Sequence, residues 1–170
     1  MTETMSEIMD VSLEEAEMLF GPMDSNSQMY VITNETHTNG AIAMFYGCTN
    51  LTEIHLPKTL TSIGYASFGG CTNLKNFYYY GDVEDWCKIS FGEYGLSLSA
   101  DAKVYFNGKL VKDIIIPESI TKIGNSQFCG FNWVESITLH DGITSIGDHA
   151  FSKTNIKEMT IELKLYNKND

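Results

Sequence analysis

The residues best equipped for chemistry gather near the middle of the chain. Asp82, Glu84, Asp85 and Cys87 fall close together, and Glu93 follows shortly after. Such a set could serve as an acid–base pair, a thiolate nucleophile or a carboxylate cage for a divalent cation. Each of these chemistries makes a demand on spacing. The carboxylates lack the D-x-D-x-D-G spacing of a calcium loop. The four cysteines, at 48, 71, 87 and 129, form no C-x-x-C pair, and no H-E-x-x-H occurs. His37, His55, His140 and His149 are scattered, with no Cys or Ser set beside them as an obvious nucleophile. The acidic run reads best as the solvated start of a short helix capped by Asp82. No catalytic residue, metal ligand or cofactor is therefore assigned. A hydrolase or transferase site built from Asp82, Asp85, Cys87 and a histidine stands as the alternative function.

The elements around this cluster are set by a repeat. The phrases LTSIG at 60–64, ITKIG at 120–124 and ITSIG at 143–147 are nearly the same. Phe45 and Phe68 stand 23 residues apart, as do Phe128 and Phe151. The spacing of 60 from Phe68 to Phe128 is close to two repeats plus an insertion of 14. Short alternating runs recur at 52–57, 76–80, 113–117, 136–140 and 158–162, and alternation is the signature of a strand. A period of this length predicts a solenoid, in which no coil covers its own apolar side chains and each needs a neighbour. Stacking brings Leu51, Leu74, Val111, Val134 and Ile156 into one interior column. Ile54, Phe77, Ile114, Ile137 and Met159 form a second column, Ile63, Ile123 and Ile146 a third, and the four phenylalanines a fourth. Five coils at a strand spacing of about 4.8 Å give a body roughly 20–25 Å long. Gly64, Gly124 and Gly147 share one coil position, which calls for either positive φ or close backbone approach. Cys48 and Cys71 also lie one repeat apart, as small buried apolar residues able to form an adventitious disulfide in oxidising surroundings.

The stretch NLTEIHLPKTLTSIGYASFGGCTNL resembles the BspA-type leucine-rich repeat, also called the Treponema pallidum type. Cys48, Leu51, Ile54, Leu56, Pro57, Leu60, Ile63, Gly64 and Phe68 carry the match, and the likeness covers about residues 41–162. Three departures stand out: Ser67 and Gln127 replace the usual Ala that Ala150 keeps, Phe131 replaces a common Cys, and the second coil lacks its I-x-x-I-G half. The resemblance implies an α/β chain leaning to mainly β: a right-handed leucine-rich-repeat solenoid with a parallel strand ladder. Relatives of this kind are often secreted or surface proteins engaged in adhesion and host contact.

Two segments break the period. Residues 81–112 form the insertion, read as a helix near Asp85–Cys87, a loop, and a hairpin at VYFNGKLV whose Asn107-Gly108 pair is a type I′ turn signal. The insertion reads as structural; the functional alternative is a protruding lip beside the strand face, with Trp86, Phe91 and Tyr94 as exposed anchors. Residues 1–40 form an N-terminal cap, with an amphipathic helix across Val11–Leu19 and a strand at 29–33, and the solenoid occupies 41–170.

Charge narrows the partners. Eleven basic against 22 acidic residues leave −11. That balance repels nucleic acid and anionic membrane surfaces and favours a soluble monomer. No apolar run of 18 residues exists, so no membrane insertion is expected. The start, MTETMSEIMD, lacks the basic and apolar regions of a signal peptide, which makes the cytoplasm the default compartment. What remains for function is surface. Alternation turns every second strand residue outward. The outward rows are Glu53, Asn76, Asp113, Ser136 and Glu158, then His55, Tyr78, Ile115, Thr138 and Thr160, then Pro57, Tyr80, Pro117 and His140. The chain is accordingly expected to be a non-enzymatic interaction module for a protein or other macromolecular ligand. Its contact residues are Glu53, His55, Asn76, Tyr78, Tyr80, Trp86, Asp113, Ile115 and Thr138. A spacer or cap fragment of a larger array is the remaining alternative.

Overall fold

The computed structural model describes residues 28–31, 45–96 and 98–163; the helix expected across Val11–Leu19 lies outside these. Twelve strands and one short helix are found among them. The strands are β1 (Gln28–Val31), β2 (Leu51–Leu56), β3 (Ser62–Ile63), β4 (Asn76–Tyr79), β5 (Ser90–Phe91) and β6 (Lys103–Phe106). They continue as β7 (Lys109–Leu110), β8 (Asp113–Ile115), β9 (Lys122–Ile123), β10 (Ser136–His140), β11 (Ser145–Ile146) and β12 (Glu158–Glu162), and α1 spans Val83–Cys87. No helix among the described residues is long and apolar enough to cross a membrane.

The solenoid is a parallel ladder on one side and a stack of turns on the other. On the ladder side β1, β2, β4 and β6 pair in parallel, and β7 closes the edge as an antiparallel hairpin with β6. A second parallel sheet holds β8, β10 and β12. On the return side β3 pairs with β5 and β9 with β11. Alternation in the sequence becomes alternation in burial: β4 and β6 both read half-buried, buried, half-buried, buried. The apolar columns form as the repeat requires. Leu51, Ile54, Leu74, Phe77, Ile114, Val134 and Ile137 are almost wholly enclosed. Phe45 stacks on Phe68 at 5.4 Å and Phe128 on Phe151 at 5.7 Å, with the ring planes nearly parallel in both pairs.

The columns differ from the expected ones in the middle and at the end. Val104 of β6, not Ile114, is the neighbour of Phe77. The ladder therefore has an additional rung, and the sheet breaks between β7 and β8. On the return side Ile63 faces Phe91, a step of 28 residues, which puts buried Leu96 in the place of Phe68. The insertion is thus split. Part of it is α1, which lengthens the link between β4 and β5, and part is the hairpin of β6 and β7, a rung without a return half. At the far end Ile146 and Met159 are half-exposed because no described coil lies beyond them.

The shared glycine position is settled by close approach. A Cβ on Gly147 would meet the Asn125 side chain, the Asn125 backbone nitrogen at 2.6 Å and the Gly124 carbonyl carbon at 2.7 Å. Positive φ falls elsewhere, two residues before and two after the stacked aromatic: Ala66, Ser126 and His149 at the first position, Gly47, Gly70, Gly130 and Lys153 at the second.

The candidate interaction face and the insertion behind it

The local structure of the insertion follows from its residues. Asp82 caps α1: its side chain accepts from the Asp85 backbone N–H at 2.9 Å, and the Asp85 carboxylate accepts in return from the Asp82 N–H. Lys58 Nζ lies 3.2 Å from Asp85 Oδ2 and ties the helix to the preceding coil. Asn107 and Gly108 both have positive φ, as a type I′ hairpin turn requires. The helix is only one turn long, so its role is to deliver one side chain.

That side chain is Trp86, and here the expected exposed anchor is corrected. Trp86 is wholly buried, and Phe91 nearly so, while Tyr94 is exposed. The insertion replaces part of a coil, and its apolar residues fill the space which that coil would have filled. The indole packs against Tyr79, Phe91, Phe106 and Phe131, with ring centroids 5.2 to 5.8 Å away. Its Nε1–H donates to the Gln127 carbonyl at 2.8 Å, and the Gln127 side-chain amide donates back to the Trp86 carbonyl. Two departures from the repeat are now explained. Gln127 exists to answer Trp86, and Phe131 fills the gap among Trp86, Phe128 and Trp133. Across the break between the sheets, the Lys103 ammonium sits 5.3 Å from the centre of the Trp133 ring.

The outer face of the first sheet carries an aromatic row. His55 stacks on Tyr78 at 4.8 Å, and Tyr78 stacks on Tyr105 at 5.0 Å, across β2, β4 and β6. Tyr105 is the residue missing from the expected row, because the hairpin strand was not counted as a rung. The alternation around Asn107-Gly108 was the signal for it. His55 belongs to this row but is itself buried. Its Nδ1 lies 2.7 Å from the Tyr80 hydroxyl and its Nε2 3.6 Å from Glu53 Oε1. Burial holds the imidazole below its ordinary pKa, against the pull of the Glu53 carboxylate. Burial, with Tyr78 and Glu53 adding, pushes the Tyr80 phenol up to about 12, so its hydroxyl stays a donor. Asn76 pairs with Lys103 in register, and not with Asp113.

The other expected contact residues lie on the second sheet. Asp113, Ser136 and Glu158 share one row there, and Ile115, Thr138 and Thr160 the next. Ile115 is largely exposed, and Ser136 Oγ donates to Asp113 Oδ1 at 2.6 Å. The nine expected residues are thus divided: five on the first sheet, three on the second, and Trp86 inside. His140 is corrected too. It is buried, its Nδ1 accepts from the Gly142 N–H at 3.1 Å, and its Nε2 reaches the carbonyls of Pro117 and Ile120.

The groups singled out for chemistry around Cys87 lie along α1 and at its cap. Burial, reinforced by Asp82 and Glu84, pushes the Cys87 thiol up to about 12, opposite to what a nucleophile needs. No group of three His, Cys, Asp or Glu residues able to hold a metal occurs among the described residues. All four cysteines are thiols, and Cys71 Sγ donates to the Phe45 carbonyl at 2.9 Å.

Comparison with known proteins agrees with this architecture. The BspA type leucine rich repeat region matches residues 24–97 and 101–169 in six copies. Neither the curated proteins nor the solved structures yield a match. A recurring 23-residue phrase, a parallel ladder and a family match over most of the chain converge: this protein belongs to the BspA-type leucine-rich repeat family.

Proposed function

We propose that the chain is a non-enzymatic interaction module that receives a protein partner on the outer face of its first sheet. The single observation behind this reading is the row His55–Tyr78–Tyr105, flanked by Tyr80, Glu53, Asn76 and Lys103. Stacked rings present their edges and hydroxyls in fixed positions. Little conformational entropy is left to lose when a partner lands on them, which is why tyrosine is favoured in binding surfaces. The family supports the class, since its repeats typically serve interaction or adhesion. Asp113, Ile115 and Thr138 form a second, more acidic patch that would extend the footprint toward β12.

The test is partner capture by cross-linking from the host's own extract. Tyr78→Ala with Tyr105→Ala should lower capture of the same partner about 30-fold or more, the loss expected for central aromatic contacts. Ile115→Ala with Thr138→Ala should lower it less. Both variants should keep the far-ultraviolet dichroism of the parent. Undiminished capture by the tyrosine variant removes this face from the reading.

A further inference from the structure

The return side of the solenoid, opposite the aromatic row, holds a cavity of about 200 Å³. Its shape follows from three successive coils. The middle coil supplies a low floor of small residues, Ser126, Cys129 and Gly130. The coil before it raises one wall, Tyr94 and Leu98, with Leu96 beneath. The coil after it raises the other, His149, Ser152 and Lys153. Wall and floor are rigidly joined on that second side. The Ser126, Phe128 and Gly130 N–H groups donate to the Asp148, Ala150 and Ser152 carbonyls at 2.8 to 2.9 Å. On the first side Leu98 Cβ would stand 3.1 Å from a Cβ on Gly130, so the floor is as low as a glycine can make it. The backbone is also committed here. Tyr94, Ser126, His149 and Lys153 all take positive φ without being glycine, a conformation L-residues seldom hold.

The chemistry of the walls is asymmetric. Glu93 stands on the Tyr94 side, and Lys153 with His149 on the other. Between them lie the apolar side chains of Leu96, Leu98 and Cys129, with the Ser126 and Ser152 hydroxyls beside them. We propose that this groove binds a small zwitterion with an apolar body, of the class of a free aliphatic α-amino acid. Its ammonium turns to Glu93, its carboxylate to Lys153 and His149, and its side chain lies against Leu96, Leu98 and Cys129. A volume of about 200 Å³ suits a ligand the size of a single amino acid. This site lies on a different face from the aromatic row, so either reading can fail without the other.

The test titrates the intact, isotopically labelled chain with L-leucine while following backbone amide shifts. Saturable shifts confined to Tyr94, Ser126, Gly130, His149 and Lys153, complete by about 10 mM, are expected. N-acetyl-L-leucine, which lacks the ammonium, and L-leucine methyl ester, which lacks the carboxylate, should each bind at least tenfold more weakly. Glu93→Gln should weaken L-leucine tenfold without further weakening N-acetyl-L-leucine, and Lys153→Gln should do the same with the ester. Ser126→Tyr should abolish binding by filling the floor, and Tyr94 shows that a tyrosine accepts this backbone conformation. Should that variant fail to fold, slowed alkylation of Cys129 in the parent by L-leucine provides the same answer. No saturable shift, either derivative binding as tightly as L-leucine, binding retained by a folded Ser126→Tyr chain, or unprotected Cys129 would each overturn the proposal.

Discussion

Replacing Trp86 by alanine tests the idea that one indole substitutes for a missing half-coil. The side chain is wholly buried and contacts four aromatic rings drawn from β4, β5, β6 and the turn at Phe131. Truncating a buried Trp removes its transfer free energy and leaves a cavity, together worth about 3–5 kcal/mol. The Gln127 carbonyl also loses the indole N–H as donor, a further cost of about 1 kcal/mol. The Gln127 side-chain bond to the residue 86 carbonyl survives, because that acceptor is backbone. A loss of about 4–6 kcal/mol follows. Set against the 5–15 kcal/mol typical of folded domains, this leaves Trp86→Ala marginal. At roughly 2–4 °C per kcal/mol for a chain of this size, the thermal midpoint should drop by about 10–20 °C. Urea unfolding followed by the fluorescence of Trp133, the remaining tryptophan, measures the change directly. Trp86→Phe keeps a ring but not the donor, and should fall between the two. A loss below about 1 kcal/mol in Trp86→Ala would refute the argument, since the two sheets would then be held together without the indole.

Two further outcomes are expected. Gly147→Ala should cost about 1–3 kcal/mol in urea unfolding, because its Cβ meets neighbouring backbone that cannot move without prising two coils apart. Folding lowers the pKa of His55, so the unfolded chain binds more protons there: this contribution to stability is fully present above the ordinary value near 6.5 and is lost as pH falls from there through the lower folded value. A urea midpoint series from pH 7.5 to 5 should decline more steeply in the parent than in His55→Gln, and parallel slopes would show that His55 titrates unperturbed.

What the amino-acid sequence determined by itself was everything that is local or strictly periodic. Alternation put Ile54, Phe77 and Ile137 inside, because successive side chains on a strand must face opposite ways. The 23-residue spacing stacked Phe45 on Phe68 and Phe128 on Phe151, because equal coil lengths return equal residues to equal places. Asp82 as a cap and Asn107-Gly108 as a turn needed only their immediate neighbours. Tertiary structure alone decided what happens where the period fails. Whether Trp86 points out or in depends on how much volume the altered coil leaves empty, and that volume is bounded by Phe131 and Gln127, more than 40 residues downstream. The neighbour of Tyr78 is Tyr105 because the hairpin strand took a place on the ladder, and hydrogen bonding to β4 fixed its register. The groove at Ser126 and Gly130 arises from unequal side chains on three coils and exists only once those coils are stacked. Periodicity assigns a residue to a column; only packing says which coil is next in it.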